Sequence, residues 1–174
     1  PYAEDDETAP KTNYAVAKLA DERFLQAYAE RYDFDFTGLR YFNVYGPRQD
    51  GSELGYVVPI FVSAARAGDP VTVHGTGEQT RDFTHIDDAV DCTLRALGPE
   101  GRNEMFNVGT GTETTVDELA RTVVDIVGKG VVEHVDHPRP YTVKRRCADV
   151  SKARDLLGYE PEIDLEDGIR TFLD

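Results

Sequence analysis

The segment Tyr14-Ala-Val-Ala-Lys18 sets a phenol and an ammonium four residues apart. On a helix, one turn brings both side chains onto a single face. A cation beside a phenol favours the phenolate and lowers its pKa from the ordinary value near ~10 towards neutrality. A tyrosine so placed can exchange a proton with a substrate hydroxyl. A tyrosine packed in a core beside a solvated lysine would show the same spacing, so the pair needs support from the rest of the chain.

The elements that must position this pair can be read from periodicity. Asn13 to Tyr32 is rich in Ala, Leu, Glu and Lys, and Leu19, Phe24, Ala27 and Tyr28 recur at helical intervals, which predicts a long amphipathic helix. Phe36 to Tyr41 reads as a strand, and Asn43 to Arg48 as the loop that ends it. Ligands of open α/β sheets sit beyond strand C-terminal ends, so that loop is a natural place for contacts. Val57 to Ala67 reads as a helix, Val71 to His74 as a strand and Gly75 to Gln79 as a turn. Thr84 to Asp88 leads into a helix ending near Leu97, with Ile86, Ala89, Val90, Thr93, Leu94 and Leu97 as its apolar face.

Met105 to Val108 is strand-like, and Thr115 with Glu118 makes a capping-box pattern for a helix to Val127. Val131 to Val135 is a last strand, Ser151 a cap for a helix ending at Gly158, and Asp164 a cap for another near the C-terminus. Alternating strands and helices predict α/β architecture. Gly109-Thr110-Gly111 follows a strand and precedes a helix, as a phosphate loop would, but it lacks a third glycine and reads better as a turn.

Composition narrows the function. The 174 residues carry 33 acidic against 19 basic side chains, a net charge of -14 that repels nucleic acid and anionic membranes. Such acidity suits a high-salt environment as well as it suits an ordinary acidic protein. Cys92 and Cys147 form no CxxC pair, and His134 and His137 lack a third ligand at metal spacing, so no metal site is expected. No apolar run reaches the ~20 residues that span a bilayer. No leader is visible, and these features together point to the cytoplasm. A first residue of Pro1 rather than Met suggests a fragment or processed chain.

Six motifs in order then carry a resemblance: Tyr14-x-x-x-Lys18, LRYFNVYGPRQ from Leu39 to Gln49, VVPIF from Val57 to Phe61, HGTGEQTRDFTHIDD from His74 to Asp88, FNVGTG from Phe106 to Gly111, and ADVSKARDLLGYEP from Ala148 to Pro161. Together they resemble the NAD-dependent epimerase/dehydratase family, the extended short-chain dehydrogenase/reductases that act on nucleotide sugars. The resemblance implies that NAD takes a hydride from a sugar carbon while Tyr14, as base, takes the hydroxyl proton, giving a keto-sugar. Lys18 would hold the nicotinamide ribose and lower the tyrosine pKa, and Phe42 would lie beside the nicotinamide. Asn43 would contact the phosphates of the sugar nucleotide. Arg81 and Arg139 would grip its diphosphate, Val57 would touch substrate, and Val71 to His74 would approach the base. Asp82 and Asp87 are expected to be structural, Asp82 bonding backbone or an arginine and Asp87 sitting in a first helical turn.

Two departures from the family pattern stand out. The chain reads Arg139-Pro140-Tyr141-Thr142 where relatives often carry an Arg-x-Gly-Asp type stretch, and Tyr56 stands where several epimerases have an asparagine. The family's glycine-rich dinucleotide loop, its ribose-binding acid and a Ser or Thr upstream of the tyrosine are missing from these residues. The implied fold is therefore the C-terminal part of a Rossmann-type doubly wound domain plus a smaller α/β substrate-binding domain, without the N-terminal dinucleotide-binding half. Residues 1–50 would end the NAD domain and carry the catalytic helix. Residues 51–174 would mainly bind the nucleotide sugar, with some segments returning to the Rossmann sheet. The implied activity is that of a UDP-sugar 4-epimerase, with a 4,6-dehydratase, a decarboxylase or a non-catalytic nucleotide-sugar-binding module as alternatives. The implied partner is a nucleotide-diphosphate sugar, with a homodimer as a further possibility, and the chain alone is expected to be inactive.

Overall fold

The computed structural model describes residues 1–49, 56–136 and 144–173. The chain opens with helix α1 (Asn13–Tyr32), then strands β1 (Thr37–Tyr41) and β2 (Asn43–Tyr45), helix α2 (Val57–Ala67) and strand β3 (Val71–His74). Next come β4 (Thr80–Arg81), β5 (Phe83–His85), α3 (Ile86–Arg95), β6 (Glu104–Val108) and β7 (Thr114–Thr115). The last elements are α4 (Val116–Val127), β8 (Val132–Val135), α5 (Ser151–Leu157) and α6 (Leu165–Arg170).

Among the described residues, β1 pairs with β6, β2 with β5 and β3 with β8, all parallel, while β4 and β7 pair antiparallel. Parallel neighbours joined through helices are the mark of α/β layering. Two apolar clusters cover these ladders. Val71 and Val73 of β3 meet Phe61 and Ala65 of α2 and Leu119 and Val123 of α4. Phe106 and Val108 of β6 meet Ala89 and Cys92 of α3 and Ala153 and Leu157 of α5.

Local chemistry explains several boundaries. Thr115 caps α4 in a complete capping box, its Oγ1 accepting from Glu118 N–H at 3.0 Å. Asp164 caps α6 by accepting from Asp167 N–H at 2.8 Å. Gly68, Gly128 and Gly158 close α2, α4 and α5 in the left-handed conformation that glycine adopts without a Cβ penalty.

Four expectations are corrected. Asn43–Tyr45 forms β2 rather than a loop, because its backbone pairs with β5, a long-range partner that local composition does not reveal. Ser151 does not cap α5, since it occupies the first helical position and its N–H donates to Asp149 Oδ1 at 2.9 Å. On α1, Phe24, Ala27 and Tyr28 are exposed, and Ala29 is the buried residue. On α3, Val90 and Leu94 are exposed at 47% and 62%, as is Leu97 just beyond it at 79%, while Ala89 and Cys92 turn into the core. On α3 packing chose the small side chains of Ala89 and Cys92, which let the helix approach its partners closely, and on α1 Ala15, Leu19, Ala20 and Leu25 are half-buried beside Ala29.

Candidate active site

Thr12 starts α1 by accepting from Ala15 N–H at 3.1 Å, which fixes where the first turn falls and so which way Tyr14 faces. Tyr14 is 74% exposed. Lys18 follows one turn later, and its Nζ donates to Asp21 Oδ2 at 2.7 Å. That hydrogen bond, reinforced by the carboxylate charge, raises the Lys18 pKa and keeps the ammonium charged. Glu22, one further turn along, accepts the Arg40 fork through both oxygens, at 2.8 and 2.7 Å. The helix that carries the phenol and the ammonium is thus tied to β1, with Tyr14 and Lys18 open to solvent.

Phe42 follows directly on β1, its N–H donating to Val108 carbonyl at 2.9 Å. With Tyr2, Tyr41 and Arg146 it lines a hollow of about 250 Å³. Arg146 was not singled out by sequence reading, and the only sign of it there is the basic run Lys144-Arg145-Arg146 in an acidic chain. Asn43 is half-buried, and its Oδ1 is buried without a hydrogen-bond partner. A buried unpaired acceptor is uncommon and marks a place where a ligand donor would be accommodated. Register sets Asn43 beside Phe83, two residues after Arg81.

Arg81 sits on β4, half-buried, with Nη1 donating to the Thr80 carbonyl. The next residue, Asp82, is fully buried and serves as an acceptor hub. It receives Thr110 N–H and Thr110 Oγ1–H on one oxygen, both at 2.8 Å, and Gly111 N–H at 3.0 Å and Ala148 N–H at 3.1 Å on the other. The expected backbone bonding of Asp82 is therefore observed. These bonds also decide the Gly109-Thr110-Gly111 loop: its amides already hold a carboxylate of the same chain, so it is a turn and not a phosphate cradle. A Cβ at Gly109 would stand 2.8 Å from Asp82 Oδ2 and 2.6 Å from Ala148 Cβ, so glycine is required for this approach.

The remaining candidates are more scattered. Val57 opens α2 and packs half-buried against the first apolar cluster, and His74 ends β3 exposed. Arg139 and His137 lie outside the described residues. His134 is held on both ring nitrogens: Nδ1 faces the Gly75 carbonyl and Nε2 faces Asp117 Oδ1, each at 2.9 Å. Asp87 lies in the first turn of α3 as expected, but its neighbour Asp88 does more, accepting Glu162 N–H at 3.0 Å and Ile163 N–H at 3.2 Å.

Residues 1–109 match the sequence signature described as the NAD dependent epimerase/dehydratase family. The chain belongs to that family. It is 40% identical to UDP-glucose 4-epimerase of Mycolicibacterium smegmatis over 97% of its own length and 54% of that protein's. It superposes with TM-score 0.91 and 38% identity on UDP-glucose 4-epimerase of Thermotoga maritima, solved with UDP-glucose, covering 99% of this chain and 56% of that one. It also matches UDP-glucuronic acid 4-epimerase of Bacillus cereus, solved with UDP-glucuronic acid and NAD, at TM-score 0.86 and 32% identity, covering 97% and 53%. The chain thus spans about half the length of the relatives it matches. The family's members among these are nucleotide-sugar enzymes, and its cofactor is NAD.

Proposed function

We propose that this chain is the C-terminal half of a UDP-sugar 4-epimerase, with residues 1–50 ending its NAD domain and residues 51–174 forming most of its nucleotide-sugar domain. The observation that carries the reading is the exposed Tyr14 and Lys18 pair on a helix bound to β1, whose end opens into the Phe42 hollow.

The described residues fit the nicotinamide end of NAD. Tyr14 and Lys18 are open to a ligand and Phe42 borders a hollow lined also by Tyr2 and Tyr41, whereas the Thr110 and Gly111 amides of the 109–111 turn are already taken by Asp82 and leave nothing there for the pyrophosphate. NAD, when bound, supplies the two-electron chemistry at the sugar carbon. Tyr14 takes and returns the proton of the sugar hydroxyl at its Oη. Lys18 holds positive charge one turn away, where its ammonium would hold the nicotinamide ribose. Phe42 walls the site against water. Asn43, Val57, His74, Arg81 and Arg139 hold the nucleotide sugar, the two guanidinium groups pairing with its diphosphate.

The enzyme would work in the cytoplasm, a placement supported by two free buried thiols, Cys92 and Cys147. The exposed stripe of Phe24, Tyr28 and Tyr32 on α1 would pair two subunits. Calorimetric titration of the 174-residue chain with UDP and with NAD tests the division of labour. UDP binding without NAD binding, and no conversion of UDP-glucose to UDP-galactose, is the expected result; turnover by the chain alone would overturn it. In the longer enzyme Tyr14→Phe should abolish turnover and leave substrate affinity within several-fold, because the phosphate grips remain.

A further inference from the structure

Tyr14, Lys18 and Glu22 follow one another at intervals of four along α1, so they share a face and turn together when the helix rolls. Within this chain Ala29 is the buried residue among the 20 of α1, so few apolar contacts with the described residues restrain that roll. A polar restraint is built in instead. Arg40 of β1 forks onto Glu22 through Nε and Nη2 at 2.8 and 2.7 Å, and its Nη1 donates to the Glu4 carbonyl at 2.9 Å. The Glu4 carboxylate in turn accepts Asn107 N–H at 2.7 Å, and Asn107 is the residue of β6 that stands opposite Arg40 in register. Asn107 is itself buried, with Nδ2 donating to the Tyr2 and Asp149 carbonyls at 2.8 and 3.1 Å. The fork is therefore anchored to two strands and two loop segments, and it grips the helix on the same stripe as the candidate proton carrier.

We propose that Arg40 is a positioning residue, which through its bidentate hold on Glu22 sets the roll of α1 and thereby the direction of Tyr14 and Lys18. The inference rests on the reading of Tyr14 as the proton carrier. With side chains included, a helix has a radius of about 5–6 Å, so a 20° roll displaces a side-chain tip by roughly 2 Å. Misplacement of ~1 Å can cost ~10²-fold in rate. Lysine cannot replace the fork, because a point charge on a flexible stem cannot hold both Glu22 oxygens and the Glu4 carbonyl together.

The test uses R40K, E22Q, their combination and Tyr14→Phe in the longer enzyme that contains this chain, with hydrogen exchange of R40K in the 174-residue chain as an activity-independent readout. R40K and E22Q should each lower kcat by ~10²-fold with KM for the UDP-sugar within ~3-fold. The double variant should fall no more than ~3-fold below either single one, since both remove one link. Amides of α1 near Glu22 should exchange ~10-fold faster in R40K while those of α4 stay unchanged. Near-normal kcat in R40K alongside an inactive Tyr14→Phe would overturn the proposal alone, as would unchanged α1 exchange or a rise in KM that accounts for the loss. An active Tyr14→Phe would instead sink the reading of Tyr14 on which it rests.

Discussion

Replacing Asp82 is the sharpest perturbation available, because this one buried carboxylate holds the Arg81 strand, the 109–111 turn and the 147–149 segment together. Alanine strips the acceptor from three backbone N–H groups, those of Thr110, Gly111 and Ala148, and from the Thr110 hydroxyl. Each buried N–H left without a partner costs about 1–3 kcal/mol, and water entering the vacated space recovers part of it, so the total should be about 3–5 kcal/mol. Asparagine should be milder. Its single oxygen can serve Gly111 and Ala148 while its amide donates to a rotated Thr110 hydroxyl, which orphans only Thr110 N–H and removes the charge assistance, for about 2–3 kcal/mol. Urea denaturation of the 174-residue chain measures both. At a slope of ~2 kcal/mol per molar urea, alanine should lower the midpoint by roughly 2 M and asparagine by roughly 1 M. An alanine variant within ~1 kcal/mol of the parent, or an asparagine variant no milder than alanine, would refute the acceptor-hub account.

Gly168→Ala should destabilise by about 1–3 kcal/mol in the same assay, because a Cβ on α6 would run into the buried Tyr45 ring and hydroxyl. Thr115→Ala should cost about 1 kcal/mol through loss of the capping box, whereas Ser151→Ala, whose hydroxyl caps nothing, should stay within ~0.5 kcal/mol. His134 should make stability fall as pH rises. The Gly75 carbonyl, then Asp117, raises its folded-state pKa above the unfolded value against the opposing Arg121 charge, and both ring nitrogens face acceptors that only the imidazolium can satisfy. The contribution is then complete below about pH 6.5 and is lost as pH climbs through the raised folded value, so the stability gap between parent and His134→Gln should shrink over that climb.

Much of the local structure was legible in the residues. The limits of α1 and α4 follow from helix formers bounded by Thr12 and the Thr115 box, and the end of α2 from Gly68, all of which act over a few residues. The structural role of Asp82 was legible in kind, though its three partner residues, up to 66 positions away, were not. The strand character of Asn43–Tyr45 was not legible, because only pairing with β5 makes it a strand. Nor was the choice of buried stripe on α1 and α3, since periodicity identifies an apolar face but not whether neighbours cover it.

By itself the sequence determined the alternation of strands and helices, the acidic surface, the tyrosine and lysine one turn apart, and the six motifs that carry the family. Those are properties of residue type and short spacing. Only the tertiary structure decided that Thr110 and Gly111 spend their amides on Asp82, that Arg146 borders the Phe42 hollow, and that Arg40 reaches across to Glu22. Each of these is a contact between residues far apart in the chain, where the pairing of buried polar groups is settled by geometry and not by local preference.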